Sequence, residues 1–203
     1  MHKSSEAEDL RVRRTRKLLQ EALIALTVEK GFAAVTVRDI TERAMVNRST
    51  FYRHYLDKCD MVEQYMNDVY ALISDDPGDV AKFGQPPEKP PSGLLNLLKH
   101  IQQYADFYRV MLGANGDPGF IASFRQNVEK RFRYMISVAQ PTIATDGPPI
   151  DLRLSYLSSA HIGAILWWLE NDQPFSLEEL AIWMSRLSIS SAGITSWPKR
   201  DTA

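Results

Sequence analysis

Apolar residues along this chain recur at three- and four-residue steps far more often than they alternate, and that period predicts helices. Leu19, Ala22, Leu23 and Leu26 form one stripe of a helix expected over Val12–Lys30, and Gly31 stops it. Thr36 can cap a second, short helix with Val37, Ile40 and Ala44 on one face, and Asp39 completes an approximate capping box. Met45-Val46-Asn47 reads as a turn, and Asn47 can cap a third helix expected over Arg48–Tyr55. Asp57 opens a fourth, with Met61, Val62, Tyr65, Met66, Val69 and Ile73 at helical spacing. Asp75 to Ser92 then holds five prolines and two glycines, which predicts a long connection without helix.

The pattern resumes with Leu94, Leu95, Leu98 and Ile101, then a short aromatic piece from Phe107 to Leu112 and a turn over Gly113–Gly119. A helix is expected over Phe120–Val138, with Phe124, Val128 and Phe132 along one side and a break over Gln140–Pro149. Two more follow, Ile150–Leu169 and about Ser176–Ser191, the last opened by a Ser176/Glu179 capping box. Neither a strand pattern nor an internal repeat is present. The fold class is all-α: an N-terminal three-helix head over residues 1–56, and a helical body over 57–203.

Charge changes this picture in one respect. The chain carries −1 overall, but residues 1–60 hold twelve Lys and Arg against nine Asp and Glu, and the remainder twelve against sixteen. A basic head on an acidic body suits a polyanion partner for the head. The cluster Arg11, Arg13, Arg14, Arg16 and Lys17 has two readings, a wet helix face or a contact to a nucleic-acid backbone. No apolar run reaches the roughly 18 residues of a membrane span, which predicts no membrane partner. Cys59 is the sole cysteine, and the polar Met1–Asp9 stretch lacks a signal core, so a cytoplasmic location is expected.

Two short helices joined by a tight turn, the second rich in Arg, Asn, Ser, Thr and Tyr, form a helix-turn-helix pattern. Across Gly31–Val62 the chain reads GFAAVTVRDITERAMVNRSTFYRHYLDKCDMV. With Thr15-Arg16 in the first helix, this resembles the DNA-binding domain of the TetR family over about fifty residues. The matching positions are Gly31-Phe32, Thr36-Val37, Ile40, Ala44, Val46, Ser49, Thr50-Phe51-Tyr52, His54-Tyr55 and Lys58. Met45 stands where the family usually has glycine, and Cys59 where an acid often follows the lysine. The resemblance implies a homodimeric transcriptional regulator, a repressor on this reading, that binds palindromic double-stranded operator DNA. Arg48 is the best candidate for base edges, since Arg pairs bidentately with guanine; Asn47, Ser49 and Thr50 share its leading turn. Thr36, Tyr52, His54 and Lys58 resemble the family's phosphate contacts, with Arg38 and Arg53 as additional ones. Phe51, Ile40, Val37 and Leu23 read as core.

The resemblance also implies a body that senses a small molecule and dimerises. A ligand pocket could be lined by Tyr104, Phe107, Tyr108, Met111, Phe124, Phe132, Tyr156, His161 and Trp167, residues that equally suit a plain core. Leu154, Leu157, Ile162, Ile165, Leu169, Leu180, Trp183, Met184 and Leu187 exceed one core's need and suggest a four-helix dimer seam, or else a purely intrachain one. No cofactor is expected. The four histidines and Cys59 lack metal-ligand spacing, and no nucleophile elbow, phosphate loop or paired catalytic carboxylates suggest an enzyme. A protein-binding co-activator that keeps this fold without ligand-gated repression is the alternative.

Overall fold

The computed structural model describes residues 2–73, 77–139 and 148–191, and every regular element among them is helical. In order these are α1 (His2–Lys30), a 3-10 turn (Phe32–Ala34), α2 (Val37–Ala44), α3 (Arg48–Tyr52), α4 (Lys58–Leu72) and α5 (Pro77–Ala81). Then come α6 (Ser92–Gln103), α7 (Ala105–Leu112), α8 (Pro118–Ala139), α9 (Ile150–Glu170) and α10 (Leu177–Ser191). Among the described residues no helix is long and apolar enough to cross a membrane.

The expected starts and stops hold where a side chain acts locally. Gly31 ends α1 at φ +77, a conformation glycine adopts without a Cβ clash. Thr36 and Asp39 form a complete capping box on α2, and Ser176 and Glu179 exchange the same pair of bonds ahead of α10. Asp57 accepts from the backbone N–H groups of Cys59 and Asp60 at the head of α4. Three expectations need correction. Residues 75–92 are not free of helix: α5 begins on Pro77, and proline suits a first helical turn, where its missing N–H bonds nothing anyway. Helix α1 starts at His2, about ten residues before the expected Val12, because a polar stretch lacks a stripe without lacking helix propensity. Helix α3 stops at Tyr52, and His54 and Tyr55 follow in a turn whose N–H groups both bond Phe51 O. The break expected over Gln140–Pro149 lies mostly outside the described residues.

By its contacts the chain divides into two compact units, residues 1–68 with 106–121, and residues 69–105 with 122–203. This division does not fall at residue 56, because the first turns of α4 and all of α7 but its first residue share the first unit's core. Leu19, Leu23, Ile40 and Phe51 are buried there together with Met61 and Met66. Phe107 sits at its aromatic centre, 6.1 Å from Tyr65, 5.5 Å from Tyr108 and 5.8 Å from Phe120 between ring centroids. In the second unit α10 packs on α6 and α9. Leu98, Phe124, Leu154, Ile165 and Trp168 fill its core, and the Trp168 indole N–H donates to Phe175 O at 3.1 Å.

Candidate functional site

Helices α2 and α3 are held at an angle by the turn Met45–Asn47. Met45 sits in the left-handed region at φ 54, ψ 41, and its N–H bonds back to Glu42 O and Thr41 O. Phe51, fully buried, fixes α3 to the core and so decides which face stays wet. That face carries Asn47, Arg48, Ser49, Tyr52 and Arg53, all exposed, with no acid from Asn47 to His54. Asn47 occupies the N-cap position of α3 but makes no side-chain cap bond, so its amide is not committed to the helix end as expected. The Arg48 guanidinium lies 5.9 Å from the centre of the Tyr52 ring and donates to its hydroxyl at 3.4 Å. Arg53 donates to Thr50 Oγ1 at 3.2 Å. Arg38 is exposed and donates to Glu42 at 2.7 Å, one of its five N–H groups, and this carboxylate raises its already high pKa.

His54 is half-buried, and burial pushes its pKa down, with the positive charges of Arg16 and Arg53 adding to the shift. Arg16 lies over the Tyr55 ring at 6.0 Å. Its charge, with that of Arg53, acts on His54, which joins Arg16 of α1 to the cationic groups that follow α3.

Two expected phosphate contacts are engaged elsewhere. Thr36 donates its hydroxyl to Asp39 at 2.6 Å and its backbone N–H to the same carboxylate at 2.8 Å, so both donors hold the first turn of α2. Lys30 at 2.8 Å and these Thr36 bonds hold the Asp39 carboxyl far below the usual carboxylate range. Lys58 has three ammonium donors, and all three are used: Phe32 O at 2.8 Å, Ala33 O at 3.0 Å and Val35 O at 2.8 Å. It also lies 4.6 Å from the Phe32 ring centre. Lys58 thus ties the start of α4 to the carbonyls that end the 3-10 turn, with no N–H left for a phosphate.

The second unit contains a cavity of about 400 Å³. Leu94, Leu97, Val128 and Met135 supply apolar wall; Tyr70, Arg131, His161 and Ser188 supply polar groups; Lys82, Glu88 and Lys89 reach it from the segment between α5 and α6. Of the nine residues expected to line a pocket, only Phe132 and His161 do, their rings 5.1 Å apart. Phe107, Tyr108 and Met111 are buried in the first unit instead, and Phe124 packs on Tyr70 at 5.9 Å. Tyr104 is half-buried against His100 at 4.9 Å. Tyr156 and Trp167 lie on the outer face of α9, Trp167 being 51% exposed. Tyr70 and Arg131 went unread because each sits beside an apolar stripe, and only the helix's rotation decides that it turns inward.

The short α2 and α3, the tight turn between them and the acid-free polar face of α3 define a helix-turn-helix DNA-binding protein. Residues 19–65 match the family described as bacterial regulatory proteins, tetR family, and residues 88–190 the family described as transcriptional regulator C-terminal region. The chain belongs to the TetR family of transcriptional regulators, whose members bind operator DNA and dimerise and are not enzymes. It is 38% identical over 68 residues to the uncharacterized HTH-type transcriptional regulator YxbF of Bacillus subtilis, covering 33% of this chain and 18% of that relative's length. A TetR transcriptional regulator from Streptococcus agalactiae has a similar structure, with TM-score 0.63 at 26% identity over 91% of this chain and 98% of that one. The dihydroxyacetone kinase operon activator DhaS shares the fold, with TM-score 0.61 at 19% identity over 89% and 97%.

Proposed function

We propose that this chain is a homodimeric repressor that reads a palindromic operator through α3 and is modulated by a small molecule held in the second unit. The observation that carries the DNA reading is the face of α3. Asn47, Arg48 and Ser49 stand exposed on its leading turn, in a segment with no acid from Asn47 to His54, while Phe51 anchors the opposite side. Arg48 is the base-reading residue, and Tyr52, Arg53, Arg38 and Arg16 meet phosphates.

The dimer reading rests on the outer face of α9 and α10. Most of the residues expected in the seam (Leu154, Leu157, Ile165, Leu169, Leu180 and Met184) are buried within the protomer. What remains in solvent keeps Trp183 and Leu187 of the expected set and adds Leu152, Tyr156 and Trp167. Gly163 stands on this face, and a Cβ there would meet nothing within 4 Å in its own chain. A mid-helix glycine costs about 1 kcal/mol against alanine. Close approach by a second copy of the helix supplies a reason for it.

The test is affinity for operator selected from a genomic duplex pool, measured for wild type and Arg48→Ala across a salt series. Loss of about 1–3 kcal/mol on the selected duplex, with little change on scrambled DNA, supports the assignment. An unchanged operator-to-scramble ratio refutes Arg48 as base reader. No binding to any duplex at low salt refutes the function, and sedimentation at the monomer mass under the same conditions refutes the dimer.

A further inference from the structure

Helix α1 brings a dense run of positive charge to the head. From Leu10 to Gln20 it holds Arg11, Arg13, Arg14, Arg16 and Lys17 and no acid. The fold sorts these cations onto two flanks. Leu19, Leu23 and Leu26 are buried and define the core side of α1, with Val12, Thr15 and Arg16 half-buried along its edges. The Arg16 edge is the one that meets the end of the recognition helix. Its guanidinium lies 6.0 Å from the centre of the Tyr55 ring, and its charge acts on His54. At 3.6 residues per turn, Arg13 falls about 60° and Lys17 about 100° round the helix from Arg16, both on the side away from the core. Arg11 and Arg14 fall about 140° and 160° from it, on the far flank.

Like charges converge on that edge. Arg53, the C-cap of α3, acts on the same His54 ring as Arg16 does. Arg16 Nε is buried with no hydrogen-bond partner among the described residues, so the head supplies no acceptor of its own on that side of the guanidinium. Cations from two helices crowded round one imidazole repel each other in the free protein, and a polyanion laid across them turns that repulsion into attraction. Asn47, Arg48 and Ser49 stand on the leading turn of α3, which places this cluster at its trailing end, beside the bases that α3 reads and not over them. Phosphates are the negative groups of a duplex in that position. The Lys17 ammonium lies 3.8 Å from Glu21, but both side chains are exposed, and such a pair yields to a phosphate at little cost.

We propose that Arg13 and Lys17, flanking Arg16, form a second DNA-contact site on α1 that grips the operator backbone beside each half-site, while Arg11 and Arg14 stay in solvent. This rests on the DNA reading above and adds a surface to it. The test compares two double variants of the full chain, Arg13→Gln/Lys17→Gln and Arg11→Gln/Arg14→Gln. All four side chains are exposed, and glutamine keeps the helix propensity, so Tm should match wild type in both. Each variant removes two charges per subunit from the same stretch of helix, so the long-range field changes alike. Anisotropy titrations use the selected duplex and a scrambled one over about 50–200 mM salt. The Arg13/Lys17 variant should lose at least about tenfold in affinity on both duplexes, with a log–log salt slope shallower by about two per subunit. The Arg11/Arg14 variant should stay within about threefold of wild type with its slope unchanged. Arg13→Lys/Lys17→Arg, which keeps both charges, should restore the slope. The proposal is overturned if the two glutamine variants lose affinity equally, if Arg13→Gln/Lys17→Gln leaves the slope unchanged, or if the loss falls on the Arg11/Arg14 variant. Each of these outcomes leaves the DNA reading standing. Wild type that binds no duplex even at low salt sinks that reading and this site together.

Discussion

The head and the cavity treat their polar side chains in opposite ways. In the head, Thr36, Asp39 and Lys30 close one network, and Lys58 satisfies three carbonyls at once. What stays open there is the solvent face of α3. In the second unit the open group is buried: the Tyr70 hydroxyl lies in the cavity wall with no partner among the described residues. A surface that meets a polyanion keeps its donors hydrated until DNA arrives, and rigidity behind them sets the register. A cavity that meets a small molecule keeps polar groups dry, which costs stability until a ligand pairs them. The contrast teaches where each unit is sensitive: the head to loss of a strut, the cavity to a change of charge.

The largest effect separates the inner and outer faces of the last helices. Ile165 is 1% exposed, so Ile165→Glu buries an unpaired carboxylate and should cost more than about 4 kcal/mol, enough to unfold the second unit. Leu187 is 65% exposed, and Leu187→Glu should leave protomer folding within about 0.5 kcal/mol of wild type while raising the dimer dissociation constant. Circular dichroism melts with sedimentation of both variants check this. Equal unfolding by both would erase the distinction between the faces.

The His161 imidazole gives the cavity unit an acid sensitivity. Its folded pKa, about 4, lies below the ordinary value of 6.5, so the unfolded chain binds its proton more tightly. The stabilising contribution is complete above pH 6.5 and is lost as pH falls from there towards 4, by about 3 kcal/mol in all. Denaturant melts of wild type against His161→Gln over that window should diverge in this direction. Parallel curves would mean that the ring is not held neutral.

Next comes Lys58. If its three carbonyl bonds hold the head together, Lys58→Met should destabilise it by about 2 kcal/mol and weaken DNA binding only through that loss. The log–log salt slope, once the variant is folded, should match wild type. A slope shallower by about one per subunit would return Lys58 to the phosphate contacts.

Lys58 also marks the limit of what could be read from the chain. The capping pairs Thr36/Asp39 and Ser176/Glu179 were legible because both partners lie three residues apart and act through side chains of known habit. The acceptors of Lys58 lie 23 to 26 residues away and are backbone carbonyls, which carry no side-chain signature. Helix α9 was legible as a helix but not as an oriented one. It is apolar nearly all round, so Tyr156, Trp167 and His161 looked alike until packing turned only His161 inward. The face of α3 escaped this ambiguity because a single large apolar residue, Phe51, stands among polar ones and can point only to the core.

The smallest effect concerns the turn between the two helices of the motif. Met45 holds φ 54 and ψ 41, a left-handed conformation that costs a residue with a Cβ about 1–2 kcal/mol. Its side chain is 92% exposed and buries nothing in return. Met45→Gly removes the clash but adds freedom to the unfolded chain, a loss of about 0.5–1 kcal/mol. The balance favours glycine by about 0.5 kcal/mol, a rise in Tm of about 1–2 °C. Met45→Ala keeps the Cβ and should bring no gain, which separates backbone strain from any effect of the thioether. Operator affinity should change less than about threefold in either variant, because α3 is anchored by Phe51 and not by the turn side chain. If Met45→Gly raises Tm yet lowers operator affinity tenfold while Met45→Ala does the same to affinity alone, the exposed thioether is itself touching DNA, and the strain is retained for that contact.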